Sequence, residues 1–164
     1  MTYIHPLTSP LGALTLASDG QALTGLWIDG QKYFPADLAG TEKALPIFDQ
    51  AEAWLRRYFA GERPDPAELP LAPAGSAFRQ AVWHAMRAVP YGETVTYGQL
   101  AQQAAGALGK ARLGAQAVGG AVAHNPILIV LPCHRVVGAD GSLTGYAGGL
   151  DKKLWLLRHE GIRV

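Results

Sequence analysis

Hydrophobic and polar positions alternate with period two at the start of the chain and recur at the helical period after about residue 45. Ala13-Leu14-Thr15-Leu16-Ala17 and the run from Ala22 to Ile28 are strand-like, separated by turn clusters at Ser9-Pro10-Leu11-Gly12, Ser18-Asp19-Gly20 and Asp29-Gly30. Successive side chains on a strand point to opposite faces, so short alternating runs between turns predict a β-meander. Phe48, Ala51, Leu55 and Phe59 then fall on one helical face and predict an amphipathic helix of about 16 residues closed by Gly61. Between Gly61 and Gly75 all periodicity stops. Four prolines in those 15 residues predict an extended linker.

Helical spacing resumes at Ser76-Ala77-Phe78, with Phe78, Val82 and Met86 one turn apart and Pro90-Tyr91-Gly92 as the stop after Val89. Thr96 is placed to cap a helix through Ala105 whose apolar positions are Leu100, Ala101 and Ala104. A Gly/Ala-rich turn, Gly106 to Leu113, leads to a second helix, Gly114 to His124. Two short helices joined in this way form a helix-turn-helix pattern, although many ordinary helical pairs share it. An apolar strand over Ile127–Leu131, a glycine-rich loop and a last helix from Leu150 to His159 complete the reading. The fold class expected is α+β. A small N-terminal antiparallel sheet with one helix, residues 1–74, is joined to a mostly helical part containing the helix-turn-helix, residues 75–164.

Composition adds the class of molecule. At 49% hydrophobic and 16% charged residues the chain reads as a soluble globular protein. No apolar run approaches the roughly 20 residues of a membrane span. The N-terminus has no basic segment followed by an apolar one, so a cytoplasmic location is expected. The net charge of +1 conceals an asymmetry: residues 1–74 hold five Lys+Arg against nine Asp+Glu, and residues 75–164 hold nine against four. The second half is the one suited to a polyanion, although uneven charge between halves is common. A single cysteine, Cys133, excludes an internal disulfide, a paired-cysteine redox motif and a cysteine-rich zinc site. No metal and no cofactor are expected.

Three features could carry chemistry. On the predicted helix from Gly114 to His124, Gln116, Gly119, Gly120 and Ala123 share a face almost without side-chain bulk, while Val118, Ala121 and Val122 face the core. Each internal glycine costs roughly 1 kcal/mol relative to alanine. Tight helix packing or close approach to a nucleic-acid groove would explain the bare face. On the last helix, Leu150, Leu154, Leu156 and Leu157 are apolar and Lys152, Lys153 and Arg158 supply charge. Glu160 follows Leu156 by four residues, so it is aimed at the buried side or ends the helix in solvent. Finally, "ILIVLPCHRVVG" places Cys133 beside His134-Arg135. A thiol becomes a strong nucleophile when its thiolate is stabilised. Neighbouring side chains on an extended backbone diverge, so His134 reaches the sulfur only if the chain turns at Pro132-Cys133. With Glu160 orienting His134 the three would form a nucleophile–base–acid triad; a structural thiol is the competing reading.

"NPILIVLPCHRVVG", with "YGETVTYGQLA" and "AVGGAV" before it and "LTGYAGG" and "LLRHEG" after it, resembles the O6-alkylguanine-DNA alkyltransferases, the methylated-DNA–protein-cysteine methyltransferases. The resemblance runs from about Gly75 to Gly161; the first half matches only in general character, a ribonuclease-H-like structural domain. It implies DNA repair by single-turnover alkyl transfer from O6-alkylguanine in double-stranded DNA approached from the minor groove by a monomer; the sequence leaves open whether O4-alkylthymine is a substrate too. Cys133 matches the alkyl acceptor, His134 the base, Glu160 its orienting carboxylate and Asn125 the hinge between helix and active-site segment. Tyr97 matches a residue that crowds the target phosphate and bonds the flipped base. The backbone of Cys133 and Val136 and the amide of Ala147 fall where the guanine edge is read, with Tyr146 and Gly148-Gly149 closing the pocket. Gln116, Ala117, Gly119, Gly120, Ala123 and Arg135 fall among the DNA contacts.

Two departures stand out. Gln116 occupies a position where the family usually has arginine, which implies weaker DNA affinity or slower repair. The turn "AAGALGKARLGA" is longer than the family's, which brings Lys110 and Arg112 into play as phosphate contacts. A non-catalytic damage-binding protein and a cysteine hydrolase or thiol sensor are the competing functions. The first lacks the acceptor cysteine, and the second leaves the bare helix unexplained.

Overall fold

The alternating segment folds as a meander in the computed structural model, which describes residues 1–164. β1 (Tyr3–Ser9) pairs antiparallel with β2 (Gly12–Ser18), and β2 with β3 (Leu23–Ile28). A two-residue β4 (Thr41–Glu42) lies parallel to β1, giving the order β3-β2-β1-β4. α1 (Pro46–Phe59) buries Ile47, Phe48, Ala51, Trp54, Leu55 and Tyr58. Phe59, placed on the core face by its spacing, is only half-buried, and Tyr58 takes its place.

The proline-rich stretch is not a free linker. Asp65 caps a 3₁₀ turn at Pro66–Glu68, its carboxylate accepting from Ala67 N at 2.9 Å. Leu71 then bridges to Leu23 through Leu23 N donating to Pro70 O (2.8 Å) and Ala72 N donating to Leu23 O (2.9 Å). Proline lacks an N–H but keeps its carbonyl, so a proline-bearing strand can still accept along an edge. Pro126–Leu128 completes this first unit, Met1–Ala74 with 126–128, by a similar bridge to Leu26.

The second unit, 75–125 with 129–164, is mostly helical. α2 (Ala77–Arg87) is capped by Ser76, and α3 (Tyr97–Ala107) by a capping box in which Thr96 Oγ1 accepts from Gln99 N and Gln99 Oε1 from Thr96 N. Such a box satisfies two helix-end donors reciprocally. α4 (Ala115–Ala123) packs against α2 and α3, with Val118, Ala121 and Val122 buried and Ala121 O accepting from Trp83 Nε1 at 2.8 Å. α3 and α4 form the helix-turn-helix. β5 (Val95–Thr96) and β6 (Val136–Val137) make a short parallel pair, and α5 (Leu150–His159) follows. The fold is α+β, and no helix is long and apolar enough to cross a membrane.

Candidate active site

The segment leading to Cys133 is not the strand its apolarity predicts. Asn125 Nδ2 donates to Leu131 O at 2.6 Å, so the run's ends are drawn together. An extended chain would hold residues six apart at about 20 Å. A continuous apolar run reports burial on all sides, which a buried irregular loop satisfies as well as a strand. Inside the loop Ile129 has φ +73°, a left-handed conformation that a β-branched side chain rarely adopts. Such outliers cost on the order of 1–3 kcal/mol and persist where the surroundings enforce them. Leu131 O then accepts from Cys133 N at 2.8 Å across Pro132 (φ −83°, ψ 65°), an inverse γ-turn. Cys133–Arg135 follow as one 3₁₀ turn. The chain therefore turns where a turn is needed for His134 to serve Cys133.

Cys133 and His134 are buried, and so is Glu160 at the C-terminal end of α5. Burial pushes the Cys133 thiol up to about 11, against the opposing influence of a hydrogen bond from Asn125 and the charge of Lys153. The resting group is a thiol, and ionising it needs a base. His134 Nε2 lies 2.6 Å from Glu160 Oε2. A carboxylate only accepts, so the imidazole proton sits on Nε2, and Nδ1 is left as a lone-pair acceptor with no protein partner. Burial lowers the His134 pKa despite Glu160, so the ring is neutral at pH 7 and free to accept a proton. Burial alone would raise the Glu160 pKa, but its bonds to His134 and Arg135 outweigh that and hold it well below the usual carboxylate range. The backbone helps as well. Gly92, at φ +80°, turns its N–H toward Glu160 Oε1 at 3.0 Å, a conformation that suits glycine.

Arg135 corrects an expectation. Placed among the DNA contacts by resemblance, it is buried, with Nε donating to Glu160 Oε1 at 2.8 Å, Nη2 to Oε2 at 3.1 Å and Nη1 to Val89 O at 2.8 Å. All three nitrogens are committed inside the protein, so the guanidinium holds the carboxylate rather than a phosphate.

Lys153 is the residue that sequence reasoning missed. Read as surface charge, it is fully buried, while Leu150, read as apolar core, is 50% exposed. Its Nζ donates to Val136 O (2.7 Å), Thr144 O (2.9 Å) and Gly145 O (3.5 Å), tying the loop after β6 to β6 itself. Burial lowers its pKa, and a negative charge on Cys133 acts in the opposite direction. The signal was available: Lys153, Leu156, Leu157 and Glu160 are spaced i, i+3, i+4, i+7, one helix face.

Tyr97, the first residue of α3, receives a hydrogen bond from Thr144 Oγ1 at 3.2 Å, so it meets the loop that carries Tyr146, Ala147 and Gly148. That loop ends at Gly149, whose φ of +101° is a conformation that side-chain-bearing residues rarely adopt. Val136 is buried in β6. On α4, Gln116 and Ala117 are exposed and Gly119, Gly120 and Ala123 are half-buried. A Cβ on either glycine would meet nothing within 4 Å, so helix packing does not explain the bare face. Lys110 and Arg112 are exposed in the turn before α4.

Comparison with known proteins agrees on one family. Residues 77–162 match the DNA-binding domain of 6-O-methylguanine DNA methyltransferase, and residues 2–73 match its ribonuclease-like domain. The chain is 49% identical to the methylated-DNA–protein-cysteine methyltransferase of Mycolicibacterium paratuberculosis over 160 residues, covering 98% of this chain and 93% of that one. It is 43% identical to the Haemophilus influenzae protein so named, over 94% of this chain and 83% of that one. The crystal structure of Mycobacterium tuberculosis OGT in complex with DNA superposes with a TM-score of 0.84 at 43% identity, covering 97% of this chain and 93% of that one. Matched along nearly its whole length in both halves, this chain belongs to the 6-O-methylguanine DNA methyltransferase family.

Proposed function

We propose that this chain repairs DNA by moving the alkyl group of O6-alkylguanine onto Cys133, once per protein molecule. The observation that carries the reading is the buried thiol one residue from a neutral imidazole whose free Nδ1 can take its proton, with Nε2 anchored on Glu160. The thiol proton passes to Nδ1, directly or through a water, and Glu160 stabilises the resulting imidazolium. The sulfur attacks the alkyl carbon, the carbon–O6 bond breaks with its electron pair on the guanine, and the proton held by His134 passes through solvent to the departing base, which leaves as neutral guanine. A thioether remains, and nothing in the site reverses it. Because Cys133 is buried, the base must leave the helix to reach it, at a cost of a few kcal/mol that is smaller for a badly paired base.

Relatives named methylated-DNA–protein-cysteine methyltransferase and a related structure holding DNA support this reading. Tyr97, Val136, Tyr146, Ala147 and Gly148 form the base pocket, and Gln116, Ala117, Gly119, Gly120 and Ala123 the surface toward the minor groove. The first unit is structural, and the protein works in the cytoplasm as a monomer. An oligonucleotide containing O6-methylguanine tests the central claim by intact mass and peptide mapping. One added methyl on Cys133, in stoichiometric amount, is expected. Binding without a mass change would sink the claim.

The open face of α4 gives a second test. Gly119→Ala is expected to stabilise the fold by about 0.5–1 kcal/mol, since the new methyl meets nothing and the helix gains propensity. Gly119→Leu is expected to weaken DNA binding at least tenfold in a fluorescence titration, because its side chain holds the helix away from the groove. In the same titration Gln116→Arg, which adds a cation at an exposed position, should tighten binding and steepen its salt dependence. Unchanged affinity in both variants would remove α4 from the interface.

A further inference from the structure

We propose that Trp83 is a positioning residue for alkyl transfer: by holding the Ala121 carbonyl, its indole N–H fixes where α4 ends and so aims Asn125 at the turn that presents Cys133. The last carbonyls of a helix lack partners within it and must find them elsewhere. At the end of α4, Gly120 O accepts from His124 N at 3.0 Å and from His124 Nδ1 at 2.8 Å. Asn125 N turns to Val122 O at 3.3 Å, three residues back, where a continuing α-helix would send it to Ala121 O. The Ala121 carbonyl is taken by Trp83 Nε1 at 2.8 Å, a donor 38 positions away on α2. The ring is held in that orientation. Trp83 is 2% exposed, and a Cβ on Gly75 would come within 2.6 Å of Cη2 and 2.7 Å of Cζ3, so the backbone lies against the ring edge remote from Nε1. A buried indole N–H without an acceptor is costly, which keeps the bond to Ala121 O closed.

What the cap positions lies just beyond it. Asn125 is buried, and its Nδ2 donates to Leu131 O at 2.6 Å. The same carbonyl accepts from Cys133 N at 2.8 Å. Two donors on one oxygen tie the end of α4 to the backbone of the alkyl acceptor. A rotation of that helix end would lengthen the bond from Asn125 and move the oxygen that holds Cys133 in its turn. Trp83 touches neither the sulfur nor the base and acts through Asn125. Its leverage comes from the steep dependence of a displacement reaction on geometry, in which misplacement by about 1 Å costs up to about 100-fold in rate. The inference rests on Cys133 as the reacting group, but the aiming of Asn125 can be measured without DNA.

Benzothienylalanine in place of Trp83 puts sulfur where the N–H was and keeps the two-ring shape. A second variant with 4-fluorotryptophan at that position alters the ring and keeps the donor. In the first, the Asn125 side-chain amide protons, deshielded by the 2.6 Å bond to Leu131 O, are expected to move upfield toward free-amide positions in a nitrogen–proton correlation spectrum. Single-turnover transfer to Cys133 from a saturating O6-methylguanine duplex is expected to slow by about 10- to 100-fold. The fluorinated protein should match the unaltered one in both measurements. Rates are compared at a temperature where circular dichroism shows all three proteins folded, so that lost stability does not enter. An unmoved Asn125 resonance in the benzothienylalanine protein overturns the proposal. So does an unchanged transfer rate, or a rate loss that the fluorinated protein shares. If the unaltered protein takes no methyl from the duplex, the acceptor reading fails, while the Asn125 resonance still decides whether the indole aims that residue.

Discussion

Glu160→Gln is expected to slow methyl transfer to Cys133 by about 10²- to 10³-fold, the range for weakening a general base. The carboxylate accepts from His134 Nε2 at 2.6 Å and so fixes the proton on that nitrogen, leaving Nδ1 to accept. It also supplies the negative charge that stabilises the imidazolium. Glutamine can still offer one carbonyl oxygen, but its amide end must then face either His134 or the Arg135 guanidinium, and both are donors there. Burial already lowers the His134 pKa, and without the carboxylate it falls further, so the thiol proton has a poorer destination. The measurement is single-turnover transfer between pH 6 and 9 at a temperature where circular dichroism shows the variant folded. DNA affinity should be unaltered, because Glu160 is 5% exposed and lies inside the protein. An unaltered transfer rate would take Glu160 out of the mechanism.

What the sequence made legible, and what it concealed, divide along a physical line. On β2 the meander is readable from the alternation of Leu14 and Leu16, whereas on β3 Leu23 and Leu26 stand three apart because the register shifts at Ala17/Ser18. α3 announces itself through Thr96-x-x-Gln99, since a capping box is local chemistry that needs no tertiary context. Val118, Ala121 and Val122 likewise declare the buried side of α4 by their spacing. The segment 127–131 has no period to read, and only the bond from Asn125 across to Leu131 reveals a loop. Arg135 and Lys153 were concealed for a different reason. A charged side chain is assigned to solvent by default, and the carboxylate and carbonyls that allow these two to be buried come from residues 25 and 46 positions away in the one case and 8 to 17 in the other. His134 and Glu160 meet across 26 positions of sequence, as their chemistry invited. The group that holds Glu160 in place was the neighbour assigned to DNA.

Arg135→Met is therefore expected to lower stability by about 3–5 kcal/mol, the usual result of removing one partner from a buried ion pair. The loss comes mostly from what remains: Glu160 keeps His134 and the Gly92 N–H but loses two charge-assisted bonds, and Val89 O loses its donor. A double variant separates this from lost packing. With Glu160→Gln added, no uncompensated charge is left, so the pair of substitutions should cost less than the sum of the singles by at least about 2 kcal/mol. The pH dependence carries the same signature. Glu160 is held below its usual value of 4.5, so the folded state binds its proton less readily than the unfolded chain does. Its contribution to stability is thus complete above that value and is lost as the pH falls below it. Urea unfolding of the unaltered protein should weaken on acidification from pH 5 toward 3, with a shallower dependence in the double variant. Additive costs for the two substitutions, with identical acid profiles, would mean that Arg135 stabilises the protein through its contacts with Val89 and Tyr91, and that Glu160 holds its charge without it.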